Sequence, residues 1–198
     1  MIDFNNLSIE TPYQKFKEKY DEALACSQDC IEAISISSYS VIANEVNSRF
    51  VNLKLVDDKN FIFFSNYNAP KSNEFKDHKQ ISALIYWNKT NTQIRIKAKI
   101  KKTSREFNKT YFSNRSKDKN ALAISSKQSN IIDSYEEVIS NYKKSLKLDN
   151  LKECPKFWGG YSFTPYYFEF WKGHNLRVNK RICYKKINGG WKKYFLQP

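Results

Sequence analysis

The sequence predicts an α+β fold around a mainly antiparallel sheet that is strongly bent or closed into a barrel. Two observations support this fold class. Short segments rich in β-branched and aromatic residues recur along the chain, and amphipathic or polar helical segments separate several of them. The 198 residues are 40% hydrophobic and 16% aromatic, which is enough for one domain with a sizeable core.

The N-terminal part of the chain is expected to contain an arm and a helix. Residues 1–11 are predicted to be a flexible N-terminal arm, and residues 12–198 a single domain. Thr11 followed by Pro12 is typical of an N-cap and a first helical position. Apolar residues then recur at three- and four-residue spacing to about residue 25, which predicts an amphipathic helix.

Strand-forming segments follow, and two of them alternate clearly. In residues 49–55, Arg49, Val51 and Leu53 are expected to share one face. Residues 93–100 alternate isoleucine or alanine with arginine or lysine, which predicts a half-buried strand. Further strands are expected near residues 31–36, 61–65, 81–87, 160–164, 166–171, 181–186 and 191–195. Helices are expected over residues 73–78, after a cap at Ser104, and from about residue 133 to 146.

Charge and targeting signals limit the function classes. The net charge of +14 and the pI near 9.5 favour anionic ligands. Lysine is spread along the whole chain, so nucleic acid is not the expected partner. No membrane-length apolar run and no secretory signal are found, so a cytoplasmic protein is expected. Cys26 and Cys30 are one helical turn apart and are expected to be small buried side chains, and no metal site is predicted.

The C-terminal segment carries residues suited to a flat anionic ligand. Trp171 and Gly173 are followed by Arg177 and Arg181, so an apolar ring surface lies near two cations in the sequence. An ordinary hairpin with a core tryptophan and solvated arginines would give the same pattern. No nucleophile motif, P-loop or dinucleotide fingerprint is present, so an enzyme with this sequence would depend on a bound cofactor.

Six segments together resemble the pyridoxamine 5′-phosphate oxidase family, whose members are homodimeric FMN-dependent enzymes with a split β-barrel. The resemblance extends from about Tyr13 to Pro198 and depends on the order and spacing of the segments. The matching segments are Ser-Arg-Phe-Val-Asn-Leu-Lys at 48–54, Phe-Phe-Ser-Asn-Tyr at 63–67, Tyr-Phe at 111–112 with Arg115, Ser-Lys-Gln-Ser at 126–129, Phe-Trp-Gly-Gly-Tyr at 157–161 and Phe-Glu-Phe-Trp-Lys-Gly at 168–173. The resemblance implies an antiparallel split β-barrel with flanking helices.

The resemblance also implies an FMN site shared between two subunits. Lys71 matches a phosphate-binding lysine, and Gln93 matches a flavin-contacting glutamine. Gln128, Ser129, Trp171 and Arg181 match contacts that the family draws from the other subunit. The full set of implied FMN-binding residues is Arg49, Phe50, Val51, Asn52, Leu53, Lys54, Phe64, Ser65, Lys71, Gln93, Gln128, Ser129, Trp171 and Arg181.

The implied activity is oxidation of pyridoxamine 5′-phosphate or pyridoxine 5′-phosphate to pyridoxal 5′-phosphate, with O2 as acceptor and H2O2 released. Arg177 and Arg181 would act in catalysis. The implied substrate-binding residues are Lys54, Tyr111, Arg115, Lys119, Arg177 and Asn179.

Three positions depart from the family pattern. Ala69-Pro70-Lys71 replaces Ser-Arg-Lys, Lys119 replaces a serine, and Asn179 replaces a histidine. Two alternatives therefore stay open. One is a related FMN-dependent oxidase of another cyclic substrate, such as a phenazine precursor. The other is a non-catalytic split-barrel protein that binds FMN, pyridoxal phosphate or nucleic acid.

Overall fold

The computed structural model describes all 198 residues and contains a closed six-stranded barrel. The strands are β1 Asp3–Asn5, β2 Ala33–Ser40, β3 Glu45–Asp57, β4 Asn60–Asn66, β5 Gln80–Trp87, β6 Thr92–Lys102, β7 Trp158–Lys172, β8 Lys180–Ile187 and β9 Gly190–Leu196. The ring runs β3–β2–β5–β6–β7–β4 and returns to β3. β1 pairs with β3 in parallel, and β8 and β9 extend the sheet beyond β7. The α+β prediction with a barrel-like antiparallel sheet is confirmed.

Five α-helices and one short 3-10 helix lie between the strands. They are α1 Thr11–Ala25, α2 Pro70–Asp77, α3 Arg105–Ser113, α4 Lys117–Ser125, α5 Tyr135–Ser145 and the 3-10 turn Asn88–Thr90. The expected cap of α3 is present, because the Ser104 side chain accepts a hydrogen bond from the Phe107 N–H. In α1 the N-cap is Glu10 rather than Thr11, and Thr11 is already helical. None of these helices is both long enough and apolar enough to cross a membrane.

The hydrophobic core fills the barrel and continues into the face of α1. Phe16 lies edge-on to Phe61 with ring centroids 4.9 Å apart, and Tyr13 lies edge-on to Phe168 at 5.3 Å. The alternation in β6 is confirmed, since Ile94, Ile96, Ala98 and Ile100 are all buried. In β3, the alternation places Leu53 in the core and leaves Phe50 75% exposed. These patterns fix which side chains face outward, where most candidate site residues lie.

β7 is one long strand where the sequence predicted two. The expected break near Pro165 is a register shift against β6, between the Ala98–Pro165 pair and the Lys97–Tyr167 pair. Proline has no N–H to donate, and a bulge tolerates this loss without ending the strand. β7 therefore joins β4, β6 and β8 and connects the barrel to the C-terminal strands.

Two sequence predictions are wrong, the flexible N-terminal arm and the burial of Cys26 and Cys30. Residues 3–5 form β1, and Ile2 is in the core cluster. Phe4 anchors this segment by packing on Tyr20 of α1 with ring centroids 5.0 Å apart. Cys26 and Cys30 are both exposed, because they lie in the turn after α1 rather than on its buried face.

Candidate active site

A first group of cationic side chains lies where β2, β3 and α2 meet. Arg49 donates from Nη2 to Glu74 Oε2 at 2.9 Å and from Nη1 to Ser38 Oγ at 2.6 Å. Ser38 also hydrogen-bonds Glu74. Asn47 Nδ2 holds the other Glu74 oxygen at 3.2 Å. Arg49 is therefore oriented by the buried carboxylate of Glu74, a residue that the sequence analysis did not predict.

Lys71 lies in the first turn of α2 and differs from Arg49. It is 7% exposed, yet its amine makes no hydrogen bond or ion pair within the chain. Burial lowers the pKa of Lys71, nearby Arg49 lowers it further, and Glu74 opposes the shift. A lysine side chain that is buried to this extent without an ion pair is costly. The first group thus contains one paired and one unpaired cation.

A second group is built from aromatic rings at the end of β4 and on α3. Phe64 stacks on Tyr111 with ring centroids 3.7 Å apart and on Trp158 at 5.0 Å, with the Trp158 plane tilted by only 4°. The Arg115 guanidinium lies over the Trp158 ring, 4.6 Å from its centroid. We call Phe64, Tyr111, Trp158 and Arg115 the aromatic-arginine cluster.

Arg115 has few partners for its charge. Its Nη1 atom is buried and has no hydrogen-bond partner, and its Nη2 atom reaches only the Lys119 carbonyl at 3.4 Å. Burial lowers the pKa of Arg115, and burial also raises the pKa of Tyr111. Like Lys71, Arg115 is a desolvated cation that makes no ion pair within the chain.

Two glycines allow α3 to lie close to β7. A Cβ atom at Gly159 would stand 2.2 Å from Tyr67 Oη and 2.4 Å from Asn108 Nδ2, and one at Gly160 would stand 2.6 Å from Thr103 Oγ1. Asn108 uses this space to accept a hydrogen bond from the Gly160 N–H at 2.8 Å. The sequence Gly159-Gly160 therefore lets α3, which carries Tyr111, lie close to the start of β7, and Arg115 follows directly after the C-cap of this helix.

The loop after α4 reaches the end of β4. Ser65 Oγ donates to Gln128 Oε1 at 3.2 Å, and Asn66 Nδ2 donates to the Ser126 carbonyl at 3.1 Å. Ser129 follows with a φ of +70°. Gln128 thus contacts Ser65 within its own chain, and its predicted contribution to the other subunit's site stays a prediction.

A third group forms a row across β6, β7 and β8. Gln93 pairs with Trp171, and Trp171 pairs with Arg181. Arg181 also contacts Glu169, to which its Nε and Nη2 donate at 2.9 and 2.8 Å. Burial alone would raise the pKa of Glu169, but hydrogen bonds from Arg181, Arg95 and Tyr167 outweigh burial and lower it.

Three predicted substrate residues are not part of the aromatic-arginine cluster. They are Lys54 in β3, and Arg177 and Asn179 in the exposed loop between β7 and β8. Lys54 is the extra residue of a bulge in β3, and its amine pairs with Glu32 at 3.3 Å and not with Tyr111. Arg177 is in the exposed β7–β8 loop with a φ of +59°. Asn179 Oδ1 closes that loop by accepting from the His174 N–H at 3.0 Å.

The remaining predicted residues need only their positions. Lys119 is exposed and meets Arg115 through its backbone. Phe50, Val51, Asn52 and Leu53 follow Arg49 along β3, where Leu53 is in the core and Asn52 is exposed. Glu74, Glu169, Ser38 and Trp158 were not predicted. For Glu169, one signal was available in the sequence. It is an acidic residue between Phe168 and Phe170, and an acidic residue in an apolar strand needs a paired charge.

The fold is that of the FMN-binding split-barrel class. Residues 158–198 match the family model described as the pyridoxine 5′-phosphate oxidase C-terminal dimerisation region. The structure is similar to PhzG from Burkholderia lata 383, solved with tetrahydrophenazine-1-carboxylic acid, with a TM-score of 0.89 and 24% identity over 94% of this chain and 92% of that one. It also resembles an FMN-binding protein from Nostoc punctiforme, related to pyridoxamine 5′-phosphate oxidase, with a TM-score of 0.78 and 10% identity over 92% of this chain and 97% of that one.

Sequence relatives establish the family. The chain is 32% identical over 190 residues to a pyridoxine/pyridoxamine 5′-phosphate oxidase of Rhodopirellula baltica, covering 94% of this chain and 85% of the relative. It is 32% identical over 191 residues to the enzyme of that name in Coxiella burnetii, covering 96% and 97%. The chain belongs to the pyridoxine/pyridoxamine 5′-phosphate oxidase family.

Proposed function

We propose that the protein is an FMN-dependent oxidase that converts pyridoxamine 5′-phosphate and pyridoxine 5′-phosphate to pyridoxal 5′-phosphate. The observation that carries the proposal is the pair of desolvated cations, Lys71 and Arg115, neither of which forms an ion pair in the chain. Two such cations suit two phosphate-bearing ligands, one cofactor and one substrate. Family membership makes FMN and a phosphorylated B6 vitamer the matching pair.

The residues present fit an FMN phosphate and ring. Lys71 and Arg49 would neutralise the phosphate, and the hydroxyl of Ser65, which donates to Gln128 in this structure, would turn to donate to it. Gln93 and Gln128 would supply amide groups for the ring edge, with Trp171 and Arg181 beside it. Bound FMN would take two electrons from the substrate and pass them to O2, which becomes H2O2. The protein's part is to hold the two rings in a reactive orientation.

The aromatic-arginine cluster would hold the substrate phosphate. Phe64 belongs to this cluster, and Ser65, the next residue, belongs to the proposed FMN site. α2 then begins at Pro70 and places Lys71 after a short turn. The end of β4 therefore links the two cationic groups, which is where a cofactor and a substrate would have to meet. Arg177 and Lys119 would add positive charge from exposed segments.

A homodimer with shared sites completes the proposal. The family match to a dimerisation region covers Trp171, Arg177 and Arg181. Phe50 and Leu84 lie in one outward row across β3, β2 and β5 and are 75% and 38% exposed. A second copy would cover this apolar row. Analytical ultracentrifugation should give twice the 23.4 kDa chain mass. A monomer that oxidises the substrate would contradict active sites shared between two subunits.

The activity is tested with the purified protein reconstituted with FMN. Pyridoxal 5′-phosphate formation and H2O2 release are measured with both phosphate esters and with unphosphorylated pyridoxamine. Turnover is expected for the esters and not for the unphosphorylated amine. Bound flavin without turnover on either ester would reject the proposal.

Asn179 favours one second candidate, a related oxidase of another cyclic substrate. Its acceptor oxygen is used by the His174 N–H, and amides do not titrate near neutral pH. A substrate that needs no imidazole at this position would suit the loop better. Screening cyclic amines and carboxylates for H2O2 release, beside the two phosphate esters, separates the candidates.

A further inference from the structure

Glu169 occupies an unusual position on β7. Its neighbours Phe168 and Phe170 are in the barrel core, so Glu169 faces outward, yet it is only 2% exposed. It pairs across the sheet with Arg95 on one side and Cys183 on the other. A carboxylate is rarely buried on a sheet face unless cations hold it there.

The carboxylate of Glu169 is held on both oxygens. Oε1 accepts from Arg181 Nε at 2.9 Å and from Nη2 at 2.8 Å. Oε2 accepts from the Arg95 guanidinium and from the Tyr167 hydroxyl, the latter at 2.9 Å. Arg95 therefore fixes the side of the carboxylate that Arg181 does not use.

These contacts determine how Arg181 can act. All three of its nitrogens are engaged, because Nη1 also donates to the Gln197 carbonyl at 2.8 Å. A guanidinium held through three nitrogens cannot rotate, and one N–H on each Nη atom remains available. Arg181 stands opposite Trp171 in the sheet, so the two side chains emerge on the same face.

We infer that Glu169 is a positioning residue that fixes the Arg181 guanidinium for the isoalloxazine ring of FMN. This inference rests on the proposed function. Arg95 and Tyr167 support Glu169, which in turn sets the plane of Arg181, so that its remaining donors meet the ring edge without prior reordering. The negative charge of Glu169 also balances the positive charge of Arg181. Arg181 would therefore act on the ring through directed hydrogen bonds more than through its net charge.

The test measures FMN affinity of the apoprotein by quenching of flavin fluorescence. Glu169→Gln keeps the shape but removes the charge and places an amide N–H₂ against an arginine. We expect its dissociation constant for FMN to rise about tenfold, the size expected for one charge-assisted hydrogen bond. The control is Glu136→Gln, the same change at an exposed residue of α5 that has no ion pair, and its FMN affinity should equal that of the unmodified protein.

A double-mutant cycle separates positioning from a general effect on folding. If Glu169 acts through Arg181, Glu169→Gln adds nothing to the loss already caused by Arg181→Met. Equal effects of Glu169→Gln in the presence and absence of Arg181 would overturn the inference. If Glu169→Gln does not fold, Glu169→Asp is used in the same cycle, since it keeps the charge but draws the carboxylate away from Arg181.

The outcomes also distinguish this inference from the proposed function. Unmodified protein that binds FMN, with Glu169→Gln binding equally well, overturns the role of Glu169 and leaves the oxidase proposal standing. Unmodified protein that binds no FMN overturns both. A tenfold loss that disappears in the Arg181→Met background supports the positioning role.

Discussion

Arg115 and Arg181 are both partly buried guanidinium groups near a tryptophan, but their surroundings differ. Arg115 lies over Trp158 with a buried Nη1 that has no partner. Arg181 is opposite Trp171 and donates twice to the buried carboxylate of Glu169. The charge of Arg115 is not balanced by an ion pair, so under the proposed function it would be available to an incoming anion. Arg181 has its charge balanced and its orientation fixed.

The same contrast recurs between Lys71 and Arg49. Lys71 is buried and makes no ion pair, whereas Arg49 is bound to Glu74 at 2.9 Å. The group around β2, β3 and α2 thus combines an unpaired cation, Lys71, suited to charge neutralisation, with a paired one, Arg49, suited to directed donation. In the other two groups these kinds of cation are separate, with Arg115 unpaired and Arg181 paired. Removing an unpaired cation should therefore weaken phosphate binding most. Removing a paired glutamate should instead change the orientation of the arginine that it holds.

The largest effect is expected for Arg115→Met. The change removes the unpaired guanidinium of the aromatic-arginine cluster, so KM for pyridoxamine 5′-phosphate should rise roughly 100-fold, about 3 kcal/mol of lost binding. FMN affinity should change little. Steady-state kinetics and FMN titration check this, with exposed Lys117→Met as the matched control. An unchanged KM would remove Arg115 from the phosphate site.

A somewhat smaller effect is expected for Lys71→Met. The dissociation constant for FMN should rise about tenfold, because one charged contact to the phosphate is lost. The thermal midpoint of the apoprotein should rise, since a desolvated amine is replaced by an apolar chain of similar length. Calorimetry with and without FMN measures both. A lower apoprotein midpoint together with unchanged FMN binding would show that Lys71 is structural.

The paired carboxylate of Glu169 should affect the acid stability of the protein. The pKa of Glu169 is below its ordinary value of 4.5 in the folded state. The unfolded state therefore binds more protons at low pH, and the stability contributed by Glu169 is present above about pH 4.5 and is lost as pH falls further. Urea unfolding from pH 7 to pH 3 should show a smaller loss of stability for Glu169→Gln than for the unmodified protein. Parallel curves would contradict the folded ion pairs.

The smallest effect is expected for Asn179→Ala. The substitution removes the hydrogen bond from the His174 N–H that closes the loop carrying Arg177. KM should rise about threefold, which is the size of one weak, exposed hydrogen bond. Arg177→Met in the same assay serves as the reference, because its rise in KM measures the loss of the positive charge in this loop. A loss with Asn179→Ala as large as with Arg177→Met would assign Asn179 a direct role.

Local features of the fold could be read from the sequence. The alternation around Arg49 and in β6 placed the correct side chains in the core, and Ser104 caps α3 as expected. Local patterns were misleading where tertiary contacts override them. The sequence predicted a break between two strands near Pro165, but this residue sits at a bulge. The sequence also predicted a flexible arm over residues 1–11, but this segment contains β1 and is held by Phe4 and Ile2.

The candidate site was only partly predictable for a related reason. The cationic and aromatic residues were found through the family pattern, but their pairing was not. Glu74 is 25 residues from Arg49, and Glu169 is 74 residues from Arg95. Only the closed barrel brings these partners together. Sequence spacing also could not distinguish a paired cation from an unpaired one.

One measurement tests the central claim most directly, namely that two cationic sites hold FMN and a phosphorylated B6 vitamer together. The visible absorption spectrum of the FMN-reconstituted protein is recorded anaerobically before and after adding pyridoxamine 5′-phosphate. The account predicts a flavin spectrum that bleaches on addition in the unmodified protein and fails to bleach at the same substrate concentration in Arg115→Met. A flavin spectrum that the substrate leaves unchanged in the unmodified protein would contradict it.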